Sequence, residues 1–250
     1  MFELFLFVSV CAMFIFAGII KGIVGNGLPV ISIAMLTLVL GLQEAIALAV
    51  IPAFATNFWQ ACHGGYFRSL LVRLWPYLLC SMIAVLAGTK LLIAVNPSVL
   101  IVILGLLIGA YAILGVAGRE FAISPAWERS AGPIFGTITG LIAGMTGSPA
   151  YPGMYFLNGL GFSRNQLVQA LGISFSAVTL TVAISMRSNN LLSLEQFLVS
   201  FSAIVPAMVG MVIGTRIRHR ISEALFKKLF YSSMLMLGIY LVTRSILRLI

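Results

Sequence analysis

Long apolar runs, interrupted by short polar or glycine-rich connections, organise this chain. Five fall at roughly 4–24, 28–41, 44–62, 74–95 and 98–117. Five more fall at roughly 131–147, 150–161, 165–186, 194–215 and 222–248. Runs of about 20 apolar residues cross roughly 30 Å of hydrocarbon as helices. The runs are continuous and do not alternate at period two, so they predict helices and not strands of a barrel. The second run of each set is short. At 1.5 Å per residue, about a dozen residues cover roughly two-thirds of the hydrocarbon. Each short run follows a break rich in glycine and proline.

The two sets of five resemble each other. Gly18, Gly22 and Gly25 align with Gly140, Gly144 and Gly147 at a constant spacing of 122. Gly88-Thr89-Lys90 aligns with Gly214-Thr215-Arg216 at a spacing of 126. Glycine-interrupted segments at matching places in two halves are the sequence mark of a transporter built from repeats. The most polar stretch, GREFAISPAWER, separates them. The expected division is therefore a first membrane repeat over 1–118, a link over 119–129 and a second repeat over 130–250.

Charge indicates how the halves are oriented. If each half crosses five times, the second is inverted and both termini face outside. The inner connections then carry Arg68, Arg73, Arg119, Arg129, Arg164, Arg216, Arg218, Arg220, Lys227 and Lys228. The outer ones carry Lys90, Arg187, Arg244 and Arg248, which is 10 against 4 with Lys21 set aside. Merging each short segment with its predecessor gives 7 against 7. Cations concentrate on the cytoplasmic side, so the inverted five-plus-five arrangement is expected.

Composition fits this picture. Hydrophobic residues make up 61% of the 250 and charged ones 8%, against about 25% in a soluble domain. The net charge of +9 would suggest nucleic acid in a soluble protein, but here the cations sit in connections and orient the chain in the bilayer. No nucleic-acid partner is expected. The N-terminal run has no basic flank and reads as a retained helix. Cys11, Cys62 and Cys80 form no CxxC, and His63 and His219 have no companion ligands, so no metal or cofactor is expected. No phosphate-binding loop, HExxH or GxSxG motif occurs, so nothing points to an enzyme.

The candidate chemistry lies at the breaks. The first reads Gly18-Ile-Ile-Lys21-Gly22-Ile-Val-Gly25-Asn26-Gly27-Leu-Pro29. Glycine costs about 1 kcal/mol in a helix interior and proline about 3, so the helix must stop there. Irregular backbone at membrane depth is tolerated only where it is buried or lines a cavity, and its freed N–H groups favour anions. Lys21 lies beside this break, and a lysine at membrane depth costs on the order of 3 kcal/mol. It is either an anion partner or a lysine reaching for an interface from a helix end. The second break, Gly140 to Pro152, has Ala143 in place of the lysine and adds Thr146, Gly147, Ser148 and Tyr151. Their hydroxyls either donate to a bound oxyanion or cap the broken ends. Asn57 and Gln60 share one face of the third segment, and Gln169 lies on the matching helix. These amides either line a site or bond neighbouring helices. All acidic residues fall at segment ends, so no carboxylate relay or cation site is available inside the membrane. Export down the membrane potential is then the simplest route for an anion.

GIIKGIVGNGLPVIS, followed by IPAFATNFWQACHGG with its Pro-x4-Asn-x2-Gln spacing, resembles the first-half signature of the TauE/SafE sulfite exporter family. GLIAGMTGSPAYPGMYFLNGLGFSRNQLVQALGISFS is similar to that family's second-repeat signature. The resemblance covers nearly the whole chain. It implies a permease of the bacterial inner membrane for sulfite, sulfoacetate or a related sulfonate. By position it assigns Lys21, Gly25, Asn26, Gly27, Asn57 and Gln60 to the first motif, and Gly147, Ser148 and Gln169 to the second. Two other functions stay open: a transporter of another small anion such as a carboxylate, and a membrane assembly partner that transports nothing.

Overall fold

The computed structural model describes residues 2–25, 27–117, 122–217 and 223–247. These residues form helices α1 (Phe2–Val24), α2 (Leu28–Leu40), α3 (Leu42–Cys62), α4 (Phe67–Ala94), α5 (Pro97–Ala117) and α6 (Pro125–Thr146). They continue as α7 (Gly153–Asn158), α8 (Arg164–Ser188), α9 (Leu194–Ser202), α10 (Ile204–Ile217) and α11 (Glu223–Ile246). No strand occurs among the described residues, and six stretches are long and apolar enough to cross a membrane. The chain is thus an all-α polytopic membrane protein. Each of the ten apolar runs carries helix, and the ninth is divided at Ala203 into α9 and α10.

Boundaries differ where polar residues continue a helix. α6 begins at Pro125, inside the stretch read as a link, because Ser124-Pro125 supplies an extended N-cap residue and a proline in the first turn. α4 begins at Phe67 and carries Arg68 and Arg73 in its first turns. α2 is bounded by Gly27 (φ +103°) and Gly41 (φ +91°), conformations that side chains resist. Nine of the thirteen α2 residues are buried, all between Leu28 and Thr37, as suits a helix that is apolar all round. Pro52 interrupts α3 and cannot donate to the Leu48 carbonyl; the Ser200 hydroxyl from α9 donates to that oxygen at 2.8 Å instead.

The packed helix pairs fall into two matching sets. Exchanging α1 with α6, α2 with α7, α3 with α8, α4 with α9–α10 and α5 with α11 interchanges the main packed pairs. The α1–α10 contact becomes α4–α6, and α3–α9 becomes α4–α8, while α3–α8 and α5–α11 map onto themselves. The register agrees residue by residue. A β-carbon on Gly18 would strike the Ala207 carbonyl oxygen, and one on Gly140 the Ser81 carbonyl oxygen. Gly22 against Met211 matches Gly144 against Val85, and Gly214 against Ile19 matches Gly88 against Leu141. These pairs reproduce the spacings of 122 and 126 read from the sequence. Small residues let helix backbones approach in lipid, where dispersion and not water drives association.

The direction of each pair follows from the same contacts. Gly18 and Gly22 face Ala207 and Met211, so α1 and α10 run parallel, as do α4 and α6. α3 and α8 run antiparallel, because Gln60 reaches Val168 while Ile51 lies across from Ala183. α5 and α11 also run antiparallel: Gly105 meets Leu241 and Gly115 meets Tyr231.

Candidate functional site

Lys21 lies in the last turn of α1 and is only 2% exposed. α1 ends because Gly25 (φ +91°) turns the chain, its N–H donating to the Lys21 carbonyl at 2.7 Å. Gly27 then starts α2. Asn26 lies outside the described residues. The Lys21 ammonium donates to Asn57 Oδ1 and, at 3.2 Å, to Thr56 Oγ1. Thr56 in turn donates to the Pro52 carbonyl at 2.8 Å, leaving its lone pair for the lysine. Both acceptors come from α3, so the end of α1 is tied to the middle of that helix.

The remaining donors decide what this cluster can do. An ammonium has three N–H bonds, of which these contacts engage two. Asn57 Nδ2 is buried and has no hydrogen-bond partner among the described residues. With Oδ1 turned to the lysine, the amide must present its NH2 elsewhere. Among the described residues the one ion pair is Arg73–Glu128 at 2.6 Å, so Lys21 has no carboxylate partner there. A buried cation and a buried amide NH2 side by side, without a negative group, suit an anion. No group of three His, Cys, Asp or Glu gathers among the described residues to hold a metal ion.

Gln60 holds the break against α3 and α8. Its amide donates to the Gly25 carbonyl at 3.1 Å and to the Val168 carbonyl at 3.0 Å, engaging both of its N–H bonds. Gln169 reciprocates, donating to the Ala61 carbonyl at 2.8 Å and accepting from the Tyr66 N–H at 2.8 Å. The two glutamines thus sit at one α3–α8 crossing, where Gly172 lets the backbones meet. Lys21, Gly25, Asn57, Gln60 and Gln169 form one connected group.

The second break forms a separate group. α6 ends at Gly147 (φ +74°), which packs against Ile33 and Ile46. Thr146 donates to the Ile142 carbonyl at 2.8 Å, and its oxygen accepts from the Ser148 N–H at 3.4 Å. The Ser148 hydroxyl accepts from the Ala150 N–H at 3.5 Å. Thr146, Ser148 and Tyr151 border a narrow cavity of about 20 Å³ with Tyr111 and Ile108, room for about one water molecule. At the spacing of 122, Lys21, Thr56 and Asn57 correspond to Ala143, Val178 and Thr179. At these three positions the later sequence has neither a cation nor an amide.

Thr56, a hydrogen-bond partner of Lys21, is the member of this cluster that sequence reasoning missed. A threonine in an apolar helix usually bonds its own i−4 carbonyl, as Thr56 does, so it carried no signal of a further role.

Residues 10–241 match the sulfite exporter TauE/SafE family. The chain belongs to that family. No curated protein and no solved structure matches it. The match with TauE/SafE proteins takes in both breaks, α3 and α8, and so includes every residue that carried the sequence resemblance. TauE/SafE is a family of membrane exporters named for sulfite, in agreement with the apolar helices and the anion-suited cluster.

Proposed function

We propose that this TauE/SafE member carries a small sulfur-containing anion, sulfite or a sulfonate such as sulfoacetate, out across the bacterial inner membrane. The observation that carries the proposal is the buried Lys21 ammonium beside the unpartnered Asn57 NH2. Lys21 supplies the charge, Asn57 orients an oxygen, Gln60 ties Gly25 of the α1 break to α8, and Gln169 ties α8 to the end of α3. The Thr146–Tyr151 hydroxyls form the weaker, uncharged counterpart in the second half. No chemical conversion is needed, so the protein acts as a transporter and not an enzyme.

The two halves are proposed to be inverted repeats of about five segments each, divided at the polar link. A two-fold axis running along the helices would leave self-related pairs parallel; an axis across them makes such pairs antiparallel. The antiparallel α3–α8 and α5–α11 pairs support the second case. Inverted repeats place substrate near the midplane between them.

A negative-inside potential expels each negative charge with about 2.3 kcal/mol per 100 mV, enough for roughly a 50-fold outward gradient. Purified protein in liposomes should therefore release sulfite or methanesulfonate faster when the potential favours exit. Flux that ignores the potential contradicts this route. A carboxylate substrate is the second reading, since the same donors suit any small oxyanion; competition of acetate against methanesulfonate distinguishes them.

A further inference from the structure

Within the Lys21–Asn57 site, the charge available is limited to one. Lys21 is the sole charged side chain buried among the described residues. α2, which packs on α1, has no titratable side chain. On α3, Glu44 is exposed and lies 13 positions before Asn57, about 20 Å along the helix. Cys62, at the other end of α3, is exposed as well. On α10, Arg216 is exposed. Cys11 on α1 lies 10 positions from Lys21, about 15 Å along the helix. The corresponding position in the second half is Ala143.

We propose that the protein takes singly charged oxyanions, hydrogensulfite or an alkylsulfonate, and rejects oxyanions that carry two charges on one centre, the sulfite dianion and sulfate. This rests on the site reading given above. A monoanion neutralises Lys21, and the Asn57 NH2 satisfies a further oxygen. A dianion would leave one negative charge buried without a partner, which is far costlier than a matched pair. In sulfoacetate the second charge sits on a carboxylate apart from the sulfur, so the limit concerns its sulfonate end. Sulfate and methanesulfonate are both tetrahedral and similar in size. They differ at one position, an oxygen anion against a methyl group, so comparing them isolates charge.

The test is anion binding to the purified full chain at constant ionic strength. Methanesulfonate should bind roughly 100-fold or more tightly than sulfate. Sulfite affinity should fall more steeply than methanesulfonate affinity as pH rises through the second ionisation of sulfite. An equal pH dependence of the two anions would overturn the inference. Sulfate binding as tight as methanesulfonate would overturn it too. If Lys21→Ala then abolishes both, the site reading survives and only the charge limit fails. If Lys21→Ala leaves both intact, or if neither anion binds the unaltered chain, the site reading falls and takes the inference with it.

Discussion

Replacing Gly140 by alanine tests the close packing of α6 against α4. The added methyl would meet the Ser81 carbonyl oxygen on α4 and approach Ala84 Cβ to 2.9 Å. The first obstacle is backbone and cannot rotate away, so the helices must separate. Overpacking costs about 1–3 kcal/mol, and a backbone obstacle puts this site toward the upper end. Alanine regains about 1 kcal/mol of helix propensity over glycine. The net loss is then about 2 kcal/mol, or roughly 4–8 °C in Tm for a chain of this length. Gly109→Ala is the internal control: its methyl would find only Leu235 Cδ1, at 3.9 Å, so Tm should hold or rise slightly. Gly18→Ala should match Gly140→Ala, because it meets the Ala207 carbonyl in the equivalent place. Thermal unfolding of the three variants in one detergent, followed by tryptophan fluorescence, makes the comparison. Equal stability of Gly140→Ala and Gly109→Ala would refute the packing argument.

Asn57→Asp sets a carboxylate against the Lys21 ammonium. It should remove anion binding while keeping or raising Tm, measured by anion-dependent thermal shift; retained binding counts against the donor role of Asn57. Gln60→Ala removes donors to the Gly25 and Val168 carbonyls and should cost about 1–2 kcal/mol, seen as a lower Tm. Arg73→Gln breaks the ion pair with Glu128, whose side chains are 42% and 16% exposed. Solvent screens such a pair, so the loss should stay below about 1 kcal/mol and leave anion affinity unchanged.

Much of this was legible because the membrane makes certain residues expensive. Lys21 stood out because a charge in an apolar run demands a reason. The glycine spacings of 122 and 126 could be read without a structure, and the α1–α10 and α4–α6 contacts carry the same registers. The breaks at Gly25 and Gly147 were visible because glycine and proline cluster there. Partners were harder. An amide in an apolar helix must bond something, but the sequence does not say what. Gln60 and Gln169 therefore stayed ambiguous until their carbonyl acceptors were known. The apolar run over 150–161 suggested a short helix, but only Gly153–Asn158 is helical, because Pro152, Gly159 and Gly161 hold the flanks in turns. Thr56 was silent because its hydroxyl serves its own helix and the lysine at once.

On the proposed function, one buried lysine gives the protein its affinity for anions. Isothermal titration of methanesulfonate and hydrogensulfite into purified wild-type and Lys21→Ala protein tests it most directly, with circular dichroism to establish that the variant keeps its helices. Wild type should bind both anions measurably, and a folded Lys21→Ala variant should bind neither. A folded Lys21→Ala variant that binds both anions with wild-type affinity contradicts it.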